Sequence, residues 1–117
     1  MAFREDLEAL ILSCLSVSPA HGYELCKRIR SLSDEVLSVA EGKLYPALHA
    51  LESDGDIVAT WEPQGNRPPR KVYALTAQGS TTLKRKQAEW STFSKGVSSI
   101  LRGAILHEVT SLRSVRC

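Results

Sequence analysis

The chain has little that would serve catalysis, export or metal binding. Its three cysteines, Cys14, Cys26 and Cys117, are odd in number and form no C-x-x-C pair. A disulfide framework and a paired-thiolate metal site are therefore not what organises the fold, and reduced thiols are expected. The three histidines, His21, His49 and His107, fall in separate segments without an H-E-x-x-H arrangement, and there is no glycine-rich phosphate loop or nucleophile elbow. Enzyme classes built on those motifs have no foothold, so no catalytic residue, metal or cofactor is expected. No apolar run approaches the roughly 18 residues that would span a bilayer. The opening MAFREDLEAL carries acids where a signal peptide carries bases, which makes a cytoplasmic protein without a membrane partner the expectation. Internal repeats and low-complexity segments are also missing.

What is present suits one compact domain: 117 residues, 43% hydrophobic and 24% charged. The net charge of +2 is small, but it is unevenly spread. Through Asn66 there are 5 Lys/Arg against 11 Asp/Glu, and from Arg67 onward 10 against 2, so the two parts carry −6 and +8. An anionic partner for the later part is one reading of that skew; a solvated basic face is the other.

Hydrophobic spacing predicts four helices and one hairpin. Leu7, Leu10, Ile11, Cys14 and Leu15 form a stripe that ends at Ser18-Pro19. Leu25, Cys26, Ile29 and Leu32 repeat it over His21 to Leu32, with Lys27, Arg28 and Arg30 outside. Leu44, Leu48 and Leu51 mark a third helix, closed at Asp54-Gly55 where a C-terminal glycine belongs. Ile57 to Glu62 and Val72 to Leu75 then alternate as two strands across the turn PQGNRPPR. Thr76 is a suitable N-cap for a last helix from Ala77 to about His107. Along it Leu83, Trp90, Val97 and Ala104 fall seven apart, with Phe93 and Ile100 offset by three, an a/d seam of about three heptads. Some 30 residues extend about 45 Å, more than a domain of this size can cover, so a second copy of the chain is the expected partner.

Mainly α with a small β-hairpin, in this order, describes a winged helix-turn-helix followed by a long C-terminal dimerisation helix. The expected divisions are 1–76 for the winged helix-turn-helix, 77–107 for the dimerisation helix and 108–117 for a polar tail. Pro46 breaks a rule within this scheme, because a helix-interior proline costs about 3 kcal/mol unless it sits in the first turns. The third helix must therefore begin shortly before it. Opposite the leucine stripe lie Gly42, Tyr45, Pro46, His49, Ala50 and Ser53, with Lys43 at the border. Small and planar groups near a helix N-terminus allow close approach to a major groove. A surface helix whose proline merely sets its entry geometry accounts for the same residues.

Three stretches, HGYEL from His21, GKLYPALHALESDGDI from Gly42 and RKVYALTAQG from Arg70, resemble the PadR family of bacterial transcriptional regulators. The resemblance covers residues 4 to about 105, and the single C-terminal helix is similar to that of the family's small subgroup. It implies a homodimer that binds a palindromic operator in double-stranded DNA, usually as a repressor released by a small hydrophobic or aromatic effector. Lys43, Tyr45, Pro46 and His49 match recognition-helix positions, and Arg67, Arg70 and Lys71 match the basic wing. The four cationic residues among them, taken from two protomers, would give up to about eight phosphate contacts. Two departures stand out: Pro68-Pro69 interrupts the wing's bases, and Ala40 stands where a serine N-cap is common.

Trp90 matches a family position that lines a pocket between protomers, and Ala9 and Leu12, outside the main stripe of the first helix, are expected to face the same interface. Leu83, Trp90, Phe93, Val97 and Ile100 are the expected interface core. The alternative to DNA binding is a winged-helix module that binds other proteins. Against it stand six bases and one acid between Trp61 and Lys86.

Overall fold

The apolar stripes become helices in the computed structural model, which describes the backbone of residues 3–114 and the side chains of residues 7–103. The order is α1 (Phe3–Val17), β1 (Ala20–His21), α2 (Gly22–Leu32), α3 (Glu41–Ser53), β2 (Ile57–Gln64), β3 (Arg67–Leu75) and α4 (Ala77–Ser114). Two units make up the chain, residues 1–84 and 85–117. The first holds α1 to β3 and the opening two turns of α4; the second holds the rest of α4.

Within the first unit, α1 is packed by α2, α3 and β3 together. Leu7, Ile11 and Leu15 are buried as their spacing predicts. Leu12, expected at an interface, is 0% exposed and belongs to this core. A helix covered from several sides buries more than one stripe, which overrides the narrow seam read from spacing. Leu83 is likewise corrected: at 7% exposure it completes the core of the first unit and offers no surface to a partner. Ala9 stays half-buried.

Two features of this unit depend on contacts distant in sequence. β1 is only two residues long and pairs antiparallel with β3, Ala20 opposite Tyr73 and His21 opposite Val72, so the sheet has three strands in the order β1-β3-β2. Such a segment is too short to show alternation. Spacing puts Arg28 outside the apolar stripe of α2. Its guanidinium donates to the Cys14 carbonyl at 3.2 Å, the Ser18 carbonyl at 2.8 Å and the Ser18 hydroxyl at 2.8 Å. These are carbonyls that the end of α1 leaves without helical donors, and a cation suits that end of the dipole.

The hairpin is longer and tighter than the sequence suggests. β2 and β3 run from Ile57 opposite Leu75 to Gln64 opposite Arg67, leaving Gly65-Asn66 as the turn. Gly65 has φ 66°, as the first central residue of a type II′ turn requires. Pro68 and Pro69 therefore lie in β3, beyond the reach of β1, where a missing N–H leaves no third strand unserved. The register shifts between Glu62 and Gln64, around Pro63, and the Gln64 amide donates to the Pro68 carbonyl at 2.7 Å.

Helix α4 continues past the expected His107 to Ser114, so most of the anticipated polar tail is helical. No glycine or proline follows Gly103 to stop it. Residues 115–117, Cys117 included, and the side chains of Ala104 and His107 lie outside the described residues.

Asp56 joins the end of α3 to the base of the wing and the start of α4. It is 5% exposed, its N–H donates to the Leu51 carbonyl, and its carbonyl accepts from the Thr76 N–H at 3.1 Å. Its side-chain Oδ1 accepts from the Thr82 hydroxyl at 2.8 Å and the Gln78 amide at 3.0 Å. Thr76 caps α4 as expected, its Oγ1 accepting from the Gly79 N–H at 3.0 Å while donating to the Gly55 carbonyl at 2.7 Å. A Cβ on Gly79 would collide with the Asp56 carbonyl and a Leu75 methyl. Gly79→Ala tests this joint because propensity and packing oppose each other there. Alanine is favoured in helices by about 1 kcal/mol, yet the variant is expected to be less stable. Asp56→Ala should cost about 1–3 kcal/mol through its orphaned partners. Thermal unfolding at fixed protein concentration reads both.

Candidate nucleic-acid interface

Helix α3 starts at Glu41 because Ala40, with φ −75° and ψ 147°, has N-cap geometry. It has no side-chain acceptor, so the first amides of the helix lack the partner that serine would supply. Leu44, Ala47, Leu48 and Leu51 are buried and hold the helix from beneath. The opposite face is exposed and carries Gly42, Lys43, Tyr45, Pro46, His49 and Ser53, so the structure brings the four expected helix residues together.

Pro46 lies in the second turn, and the carbonyl of Gly42 loses its helical donor. Both residues are exposed. Apart from its chain neighbours and the nearby backbone of α3 itself, nothing lies within 4 Å of where a Gly42 Cβ would sit. Internal packing therefore does not require glycine here.

Tyr45 is 46% exposed, and the hydroxyl end of its ring lies against Gly22, the first residue of α2. A Cβ on Gly22 would come within 2.6 Å of the Tyr45 hydroxyl. Gly22 is thus the residue that lets the ring bridge the N-terminal ends of two helices, a role that periodicity does not reveal. Burial, followed by the nearby Glu41, raises the Tyr45 hydroxyl above its ordinary pKa, so it stays a neutral donor.

The wing bases are less available than their number implies. Arg70 stands opposite Glu62 on the neighbouring strand, donating from Nη2 at 2.8 Å and from Nε at 3.2 Å. Lys71 donates to Glu52 of α3 at 3.2 Å and lies 5.5 Å from the Tyr73 ring centroid. The Glu52 hydrogen bond is the main cause that raises the Lys71 pKa. Arg67, beside the turn, forms no ion pair among the described residues. The three wing cations therefore differ in their surroundings: Arg70 and Lys71 are held by carboxylates, and Arg67 is not. Glu52 follows Tyr45 by seven residues, so an acid borders the exposed face of α3 where the helix meets β3.

In the second unit, Trp90, Phe93, Val97, Ile100 and Leu101 are all exposed on α4. The Trp90 and Phe93 rings lie 5.9 Å apart, tilted by 38°. Among the described residues, no three His, Cys, Asp or Glu side chains converge to hold a metal, and no helix is long and apolar enough to cross a membrane.

Residues 11–85 match the family described as the transcriptional regulator PadR-like family. The transcriptional regulator YqjI of Escherichia coli (strain K12) is 30% identical over 103 residues, 88% of this chain and 48% of that protein. The chain thus spans about half the length of this curated relative. Among solved structures, a transcriptional regulator from Clostridium thermocellum superposes with a TM-score of 0.76 at 31% identity, covering 82% of this chain and 93% of that one. A PadR family transcriptional regulator from Eggerthella lenta superposes with a TM-score of 0.71 at 36% identity, covering 85% of each chain.

The start of α3 is locally under-stabilised, and that is measurable. Pro46→Ala restores a donor to the Gly42 carbonyl and should stabilise the chain by up to about 3 kcal/mol. Ala40→Ser should add about 0.5–2 kcal/mol by capping the first turn. Both are expected to raise the thermal midpoint; a fall with Pro46→Ala would mean that the proline supports the packing of α3.

Proposed function

The chain belongs to the PadR-like family of transcriptional regulators, and from that premise we propose that it binds a palindromic site in double-stranded DNA as a homodimer and represses transcription in the cytoplasm. The observation that carries this reading is the exposed face of α3, where Lys43, Tyr45, Pro46 and His49 sit together above a buried leucine stripe. The N-terminal end of α3 and the Lys43 side chain favour phosphate, and the Tyr45 hydroxyl donates to it. His49, one turn further along, reads a base edge. Gly42 and Pro46 keep the face low enough for a groove to close on it. Arg67 at the wing tip enters the minor groove or reaches a phosphate.

The apolar face of α4 carries the dimerisation reading. Burying one Trp or Phe side chain contributes about 1.5–3 kcal/mol, so Trp90, Phe93, Val97 and Ile100 from two copies outweigh plausible docking costs. Trp90 also serves the regulatory reading. A flat aromatic effector stacked on it would shift DNA binding only by preferring one arrangement of the two reading helices, and a tenfold preference supplies about 1.4 kcal/mol. Leu12 has no place in such a site because it is core.

A protein-binding role is the second reading, favoured by the paired wing bases and by Trp61, which is 67% exposed on β2. Salt dependence separates the two. With Lys43 and Arg67 as the phosphate contacts of each protomer, log K against log salt is expected to fall with a slope of about −3.6. A slope near zero would remove DNA as the partner. His49→Ala should change base preference, whereas Arg67→Ala should weaken all sequences alike.

The dimer and effector readings are tested on α4. Val97→Glu combined with Ile100→Glu is expected to halve the sedimenting mass, and an unchanged mass would place the interface elsewhere. In a Trp61→Phe background, planar aromatic compounds should quench Trp90 fluorescence and release DNA together. Quenching without release would leave Trp90 as interface core alone.

A further inference from the structure

The two held cations of the wing differ from the lone one in a way that bears on affinity. Arg70 is gripped through two nitrogens by the carboxylate directly across the hairpin, and Lys71 by a carboxylate that comes from α3, 19 residues away in sequence. In both pairs all four side chains are 35% to 48% exposed. Pairs this wet are weak, and a phosphate can compete for the cation. The competition is not free of consequence, because a cation that turns to phosphate abandons its carboxylate or brings it against the backbone of DNA. Glu52 borders the reading face itself, so that carboxylate cannot be moved far aside.

We propose that Glu62 and Glu52 are internal counterions that hold Arg70 and Lys71 off the phosphate backbone and thereby limit how tightly the wing grips DNA. Phosphate contacts carry the sequence-independent part of binding. Withholding two cations per protomer lowers that part and leaves base reading by α3 a larger share of the total. The same two pairs tie the wing to itself and to α3 while their cations' charge stays partly in reserve. The inference rests on the DNA-binding reading above, and the experiment keeps the two separable.

The probe is a labelled mixed-sequence duplex of about 30 base pairs, long enough for two half-sites. Its binding is measured from 50 to 200 mM salt for wild type, Glu62→Gln and Glu52→Gln in the full chain. Each substitution frees one cation per protomer, so the slope should steepen by about 1.8, and the variant's advantage over wild type should shrink about tenfold across that range. Adding Arg70→Gln to Glu62→Gln, or Lys71→Gln to Glu52→Gln, should return the slope to the wild-type value. Two outcomes overturn the proposal: slopes that do not change in either glutamine variant, and a gain that survives loss of the freed cation. The second would mean that the acid itself repelled DNA. Wild-type binding with unchanged variants removes only the counterion role, whereas a wild type without salt-dependent binding removes the DNA reading and this inference with it. The two pairs are independent sites, so a variant that fails to melt like wild type at one leaves the other to decide.

Discussion

One buried side chain, Asp56, carries more of this architecture than its size suggests. Its backbone closes α3, its carbonyl takes the N–H of Thr76, and its carboxyl takes two donors from the first turns of α4. Helix α3, the root of the hairpin and the base of α4 therefore meet at one hydrogen-bonded point. Gly79 permits the approach, since any larger residue would push α4 away from the Asp56 carbonyl. A buried acid needs hydrogen-bond donors, and Thr82 and Gln78 both supply them to Oδ1.

Against that firm joint, the exposed start of α3 is built from weak choices. Ala40 caps nothing, Gly42 has no packing reason to be glycine, and Pro46 removes a helical donor. Each choice lowers local stability, and the leucine stripe beneath offsets them. Departures from good helix design collected on one exposed face, while the buried face follows every rule, are the pattern expected where shape is kept for a partner. Tyr45 fits the same pattern: the hydroxyl end of its ring packs on Gly22 while the residue as a whole stays 46% exposed.

Charge behaves differently when counted and when placed. The +8 of the later part of the chain promises a strongly basic surface, yet Arg70 and Lys71 spend their charge on carboxylates from β2 and α3. Arg85 likewise meets Glu89 one turn along α4. Arg28, a base of the acidic part, is consumed in ending α1. Net charge per segment therefore bounds the sign of a partner without saying which cations can reach it.

Features governed by neighbours in the chain were legible from the residues alone. The stripe Leu44, Leu48 and Leu51, the Thr76 cap, the left-handed Gly55 after α3 and the alternation of β2 all depend on spacing of a few residues, and the LYPALHALE segment carried the family resemblance. The structure alone decided where distant segments meet. Spacing placed Leu12 and Leu83 on an interface, and packing from several sides put them in the core. The two-residue strand β1, the grip of Arg28 on the end of α1, the fit of Tyr45 on Gly22 and the pairing of Lys71 with Glu52 leave no periodic trace. Each joins residues far apart in sequence, and local pattern cannot encode a contact whose partner the chain reaches only by folding.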